Sequence, residues 1–267
     1  MKKWMRIVLW ILFTAAVVTV FVFAIQAENA RELKAPKISI HVEGENAFLT
    51  ENELLDRLKI RHLFTDKQAV NALRIRYVEH AIESMAEVKH VKVFKEIGSD
   101  WHIELELRKP IARIFNTSGQ SYYLDQDGFM MNRSRLHTAR VLVFSGSISD
   151  RYSPQSIYHF INNDSLKSSR KIDQIYRISN YVCNDPLLHK MIGQAYLEKD
   201  GDFILIPLIG DQQITFGSAR SDREVRDKFD RLLKFYKEAM PHEGWDKYSE
   251  ISVKYEGQIV CRKRKGA

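Results

Sequence analysis

Cysteine is nearly missing from this chain: two in 267 residues, Cys183 and Cys261, 78 positions apart. That excludes a disulfide framework and a four-cysteine zinc site, leaving one intramolecular bridge or two thiols. Glycine and proline are also few, at twelve and six, which excludes collagen-like and low-complexity material. Net charge is +7, from 41 Lys and Arg against 34 Asp and Glu. Three of the bases (Lys2, Lys3, Arg6) precede an apolar run and four (Arg262, Lys263, Arg264, Lys265) end the chain. Without those seven, 34 bases face 34 acids, and the body has no excess to lay along a recognition face. Nucleic-acid binding is not expected.

Motifs with a mechanism are absent too. The sequence contains no G-x-S-x-G, H-E-x-x-H, Gly-Lys-Ser/Thr loop or G-x-G-x-x-G, and no two of its nine His are four residues apart. The segment Asp125-Gln126-Asp127-Gly128 has carboxylates at i and i+2 before a Gly but no closing Glu of a calcium loop. It reads as a hairpin turn. Cys183 is either a small buried residue or, beside a His, a nucleophile; no local signature supports the second. No catalytic residue, metal, cofactor or small-molecule substrate is expected, which favours a binding protein over an enzyme.

What is present begins with nineteen uncharged residues, 7–25, with Thr14 and Thr19 as the polar members. A helix of that length rises about 28 Å, close to the hydrocarbon thickness of a bilayer. The run is long for a signal peptide and lacks a small-x-small cleavage site after it, so an uncleaved anchor is expected ahead of the alternatives, a cleaved signal peptide or a buried core helix. Lys2, Lys3 and Arg6 form the topology signal that holds the amino terminus in the cytoplasm. The rest of the chain is then exported.

The exported part, at 45% apolar and 28% charged residues for the whole chain, is foldable as one large or two small domains. Ile38, Ile40 and Val42 alternate with polar residues as a strand. Leu49-Thr50-Glu51-Asn52-Glu53-Leu54 combines a capping box with a hydrophobic staple and opens a short helix. A second helix is predicted over 66–85, with Val70, Leu73, Tyr77, Ala81 and Met85 on its buried face. Two strands follow around Val91 and Val93 and from Trp101 to Leu107, turning at Gly98-Ser99-Asp100, with Pro110 closing the unit. The order is βααββ. Beyond it the pattern changes to short strands over 111–115, 122–124, 141–144, 194–198, 203–207 and 213–216, with helices over 154–161 and 171–182. Ser221 and Glu224 form a second capping box, ahead of an apolar stripe of Val225, Phe229, Leu232, Leu233, Tyr236 and Met240. A hairpin ends the chain, 248–255 and 258–262 around Glu256-Gly257. The fold class is α+β: one transmembrane helix, a βααββ module and a mixed β-sheet domain with flanking helices.

Across residues 4–263 this organisation resembles the bacterial divisome family FtsQ, also called DivIB. The stretches that carry the resemblance are 44–58, Arg108-Lys109-Pro110-Ile111-Ala112 with Tyr123-Leu124-Asp125 and Gly128, Val141-Leu142-Val143-Phe144-Ser145-Gly146, Ile214-Thr215-Phe216-Gly217, and Ile251-Ser252-Val253-Lys254-Tyr255-Glu256-Gly257. The resemblance implies a cytoplasmic tail at 1–6, the membrane helix at 7–25, a linker at 26–35, a POTRA domain at 36–109, a β domain at 110–262 and a basic tail at 263–267. It implies a single-pass protein of the inner membrane at the septum, with its bulk in the periplasm. It also implies a non-enzymatic scaffold of septal wall synthesis that binds the bitopic partners FtsB and FtsL. In the family FtsB adds a strand beside the last strand of the β domain, which points here to Tyr255, Gly257, Gln258, Ile259, Val260 and Cys261. Unpaired edge groups recruit strands on general grounds as well, and Pro at Val260 is expected to remove one outward N–H. The basic end beside this strand either guards the edge against aggregation or steers an acidic partner. Two other readings of the chain are a POTRA-bearing export or chaperone component and an anchored cell-wall enzyme.

Overall fold

The computed structural model describes residues 2–43, 48–96, 99–134, 137–154, 156–157 and 170–264. Helix α1 (Lys2–Asn29) is unbroken, and its apolar stretch Trp4–Asn29 contains a window of mean hydropathy 2.7. Its two hydroxyls are satisfied within the helix: Thr14 donates to the Trp10 carbonyl at 3.0 Å and Thr19 to the Ala15 carbonyl at 2.8 Å. Twenty-six residues rise about 39 Å, more than the roughly 30 Å of a hydrocarbon core, so the helix is long and apolar enough to cross a membrane. It runs past position 25 into the segment expected as a linker, 26–35, and part of that segment packs on the fold. Leu33 is buried and its N–H reaches the Gln68 carbonyl at 2.8 Å, while the Val70 N–H reaches the Arg31 carbonyl at 3.0 Å.

Contacts divide the chain into two units, one formed by 1–42 and 49–107 and the other by 43–48 and 108–267. The first carries a three-stranded sheet in the order β1-β3-β2, with β1 (Lys37–His41) parallel to β3 (Trp101–Leu107) and β2 (Val88–Lys95) antiparallel to it. Helices α2 (Glu51–Ile60) and α3 (Ile75–Glu83) complete the βααββ order. Thr50 caps α2 by accepting the Glu53 N–H at 3.3 Å, and Leu49 and Leu54 are both buried as the staple requires. The Glu53 carboxylate turns to Arg57 at 2.5 Å. The second helix differs from the expected one. A 3-10 turn (Val70–Ala72) ends in the extended Leu73, and α3 begins only at Ile75. Its buried face is therefore Val78 and Ile82, while Tyr77 is 64% exposed. Lys67, in the left-handed region at φ 64°, breaks the chain before the helix. A one-residue shift in phase rotates a helix face by about 100°. Trp101 sits at the centre of this core, fully buried, its Nε1 donating to the Lys34 carbonyl at 2.9 Å.

The second unit carries a nine-stranded mixed sheet in the order β12-β11-β10-β9-β8-β7-β4-β5-β6. Its strands are β4 (Pro110–Phe115), β5 (Ser121–Asp125), β6 (Met130–Met131), β7 (Leu142–Gly146), β8 (Ile192–Leu197), β9 (Phe203–Pro207), β10 (Gln213–Gly217), β11 (Tyr248–Ser252) and β12 (Val260–Lys263). Helices α4 (Ile172–Asn184), α5 (Pro186–Met191), α6 (Asp222–Glu238) and α7 (Met240–Glu243) accompany it. The short α5 has its own start signal, Asp185 accepting the N–H groups of Leu187 and Leu188 ahead of Pro186. The helix expected over 154–161 lies outside the described residues, except for 154, 156 and 157, and Gly98 of the first unit's turn lies outside them too.

Alternating burial along the strands, such as buried Phe203, Leu205 and Pro207 with exposed Ile206, places one sheet face on the core. Ile175 and Ile178 of α4 and Phe229 and Leu232 of α6 fill that core against Phe144, Leu205 and Phe216. Ser221 caps α6 by accepting the Glu224 N–H at 3.1 Å, and the Glu224 carboxylate accepts the Arg220 N–H at 2.8 Å. Helix α6 carries the chain from β10 to β11, and these two strands pair in parallel. A parallel neighbour requires such a crossover, and it delivers the last hairpin to the end of the sheet.

Candidate functional site

The last strand occupies an edge. Among the described residues β12 pairs with β11 alone, through Ser252 with Val260, Ile251 with Cys261, Glu250 with Arg262 and, past a bulge, Tyr248 with Lys263. The direction of each backbone group follows from the neighbouring bonds. Val253 donates its N–H to the Thr215 carbonyl of the β10 side at 3.0 Å. Backbone groups alternate along a strand, so Ser252 and Glu250 point the other way, to Val260 and Arg262. On the far side of the bulge between Tyr248 and Glu250, Arg264 donates to the Lys247 carbonyl at 2.9 Å, in phase with this alternation. Cys261 and Lys263 therefore turn their N–H and C=O groups away from the sheet. Pro at Val260, by contrast, would break the pair with Ser252 inside the sheet, contrary to the sequence-based expectation.

The regular part of the hairpin is shorter than its sequence pattern. β11 stops at Ser252 and β12 starts at Val260, so Tyr255, Gly257, Gln258 and Ile259 all belong to the connection. Gly257 is in the left-handed region at φ 71° with open space where a Cβ would stand, so backbone conformation rather than crowding favours Gly there. Tyr255 is 50% exposed and Val260 47% exposed. Ile259 and Cys261 face inward onto the core of the second unit. The structure thus brings Val260 and Cys261 onto the edge with Arg262 and Lys263, and places the other four candidates at its approach. Period-two patterning could not find where the β11–β12 pairing stops, because Val253 and Tyr255 continue the alternation after that ladder has ended.

Charge around the edge is mixed. Arg262 pairs with Glu250 at 3.2 Å, and Glu250 also accepts from the Thr215 hydroxyl at 2.6 Å. Arg264 lies 3.5 Å from Asp211. Lys254 bonds to the Asp202 carboxylate, which raises its ammonium above its ordinary pKa. Lys265 lies outside the described residues, and Lys2 and Lys3 are described only as helical backbone; Arg6 is on the same helix.

Both thiols are partly buried. Cys183 and Cys261 are both free, and burial raises the pKa of each, disfavouring thiolate. Cys183 and His189 line one cavity of about 490 Å³, but no hydrogen bond joins them among the described residues. A wider cavity of about 800 Å³, lined by Arg113, Gln120, Ser121, Tyr123, Asn132 and Tyr152 among others, has no Cys, His or carboxylate in its wall among the described residues. Among the described residues no group of three His, Cys, Asp or Glu could hold a metal ion. The turn at Asp125 closes as a turn: Gly128 donates to the Asp125 carbonyl at 3.1 Å, and the buried Asp125 carboxylate is taken by Arg108 at 3.0 Å and by the Phe129 N–H at 2.6 Å. Burial raises the Asp125 pKa, with these two partners opposing it.

The edge of the first sheet gives a contrast. Glu96 donates its N–H to the Asp100 carbonyl across the β2–β3 hairpin at 3.0 Å, so by alternation Val93 points outward. Its N–H is not open, because the Glu79 carboxylate of α3 accepts it at 3.2 Å. Among the described residues no comparable side-chain bond meets the outward groups of Cys261 and Lys263.

Compared with known sequences, residues 109–262 match the family model described as FtsQ/DivIB, C-terminal related. The match covers more than half of the chain, from the residue before β4 into β12. No curated protein matches the chain.

Proposed function

This chain belongs to the FtsQ/DivIB family of cell-division proteins, and from that membership we propose that it is a non-enzymatic, single-pass scaffold of the divisome that binds FtsB- and FtsL-type partners by strand addition at β12. The observation that carries the reading is the edge itself: a terminal strand whose outward N–H and C=O groups, at Cys261 and Lys263, face no neighbouring strand among the described residues. An added strand would satisfy those groups and gain main-chain hydrogen bonds, each worth about 0.5–1.5 kcal/mol net. Exposed Val260 and Tyr255 supply side-chain contacts beside them.

Helix α1 anchors the chain with the Lys2, Lys3 and Arg6 end in the cytoplasm, placing both units in the periplasm. The βααββ unit serves as the POTRA domain, within 36–109, and the nine-stranded unit as the β domain, within 110–262. Septal localisation follows from partners and anchor together.

The test separates the two sides of β12. Lys263→Pro removes an outward N–H at an exposed position. In the full chain it should weaken binding to a purified FtsB–FtsL-type complex at least tenfold, read by biolayer interferometry, with the thermal transition in place. Unchanged affinity would sink strand addition at this edge.

A further inference from the structure

The stretch between β11 and β12 has no regular structure over 253–259, yet it must deliver a four-residue strand in register. One side chain of α6 reaches it. Arg231, three residues on from the buried Lys228, donates from Nη2 to the Val253 carbonyl at 3.1 Å and to the Tyr255 carbonyl at 3.2 Å. Those two carbonyls belong to the first residues after the ladder ends.

The geometry assigns Arg231 as the positioning residue of the β12 edge: it ties α6 to the carbonyls of Val253 and Tyr255 and so sets the course on which the chain turns back into β12. Its functional consequence rests on the strand-addition reading given above. A single nitrogen can serve carbonyls at i and i+2 only where the chain curls between them, because in an extended strand they stand about 6.5–7 Å apart. The contact therefore selects a bent path out of β11.

Among the described residues no carboxylate lies within 4 Å of the Arg231 guanidinium, and its Nε is buried without a hydrogen-bond partner. A partly desolvated cation with no acid beside it is costly to hold. Here the two carbonyls are its polar partners, and hydrogen bonds from a charged donor are stronger than neutral ones. Lysine lacks the planar fork and keeps a strongly hydrated ammonium, so it would substitute in part only. Lys254, between the two carbonyls, bonds to Asp202 of the turn before β9, so this strip of chain is held from α6 and from the β8–β9 turn at once.

Without the clamp the hairpin would sample other paths, and a partner's affinity falls in proportion to the fraction of molecules with β12 in place. Arg231→Ala, Arg231→Lys and Lys263→Pro would be compared in the full chain, reconstituted in nanodiscs. Hydrogen exchange followed by mass spectrometry should show the amides of 253–263 exchanging about tenfold faster in Arg231→Ala, with β8 and β9 unchanged. Affinity for the purified FtsB–FtsL-type complex should fall about tenfold in the same variant, and Arg231→Lys should recover part of both losses. Exchange over 253–263 that stays at the wild-type rate would overturn the assignment, whatever the partner does. Faster exchange with full affinity would leave the clamp in place and remove its role in binding. Lys263→Pro reports on the edge separately: loss there with no effect of Arg231→Ala keeps strand addition and rejects the clamp. Should Arg231→Ala fail to fold, Arg231→Lys carries the exchange measurement.

Discussion

The two sheets of this protein each have an edge strand formed by a hairpin, and they treat its outward amides in opposite ways. β2 is eight residues long, and a long edge carrying Val91 and Val93 is a template for unwanted pairing. Glu79 accepts the Val93 N–H there. β12 is four residues long, is next to a bulge and carries Arg262 and Lys263, yet among the described residues no side chain bonds its outward groups. Length, charge and irregularity limit self-association on β12 without filling the hydrogen-bonding positions. On β2 the Glu79 carboxylate of α3 fills one. The difference separates an edge built to stay closed from one compatible with a chosen partner.

The largest test of this contrast removes the support behind each edge. Trp101→Ala empties the core beneath β3, and Phe229→Ala the core beneath β10; each should cost its own unit about 3–5 kcal/mol. Differential scanning calorimetry of the full chain should show each substitution lowering a different part of the transition. A single transition moved equally by both would break the description as two separately cored units.

Next in size is the guard itself. Glu79→Ala should cost about 1.5–3 kcal/mol, the range for a hydrogen bond to a charged group, and should speed exchange of the Val93 amide. It should also convert β2 into an open edge, so sedimentation velocity should detect more self-association than in wild type. A variant that stays monomeric with the Val93 amide still protected would show that Glu79 is not the guard.

Acid should act on α6, which connects β10 to the β12 hairpin. Burial pushes the Glu224 pKa upward, but the Lys228 ammonium, the Ser218 hydroxyl and the Arg220 N–H outweigh it, and the net shift is down from 4.5. A depressed carboxylate contributes stability that is present above the unfolded value and is lost as pH falls through the folded one. Denaturant midpoints should therefore drop as pH is lowered below about 4.5, and Glu224→Gln should flatten that part of the curve. An unchanged acid limb would show that the ion pair contributes nothing to stability. The smallest effect is expected from Arg262→Ala, since its 76% exposed side chain makes a surface pair worth about 0–1 kcal/mol.

Much of this was legible in the sequence wherever a signal is local. Thr50 and Ser221 were recognisable as caps because an N-cap needs only its own next turn, and the order of the βααββ unit followed from hydrophobic period. The second helix of that unit was misplaced for a related reason. Val70 and Leu73 are apolar at helical spacing with later residues, but they are buried from a 3-10 turn and an extended residue, and the chain break at Lys67 leaves no pattern in a window of apolar positions. The candidate edge was readable as a final hairpin, but not its limits. Val253 is fully buried and still donates its N–H to Thr215 on the β10 side although its pairing with β12 has ended, so apolar alternation does not mark where the last hairpin's ladder stops.

The sequence by itself determined the apolar helix, two α+β units in succession along the chain, the poverty of catalytic motifs and the gathering of bases at the two ends, because composition and short-range periodicity are properties of the chain alone. Tertiary structure decided that β12 stands last in a nine-stranded order, that Cys261 and Lys263 rather than Val260 turn their amides outward, that Glu79 lies over one edge and that Arg231 holds the approach to the other. Each of these depends on which strand lies beside which, and on residues that are between 14 and 24 positions apart for the two side-chain contacts. Backbone direction in a strand has a period of two, so one residue of register, set by partners distant in the chain, exchanges the inner and outer groups.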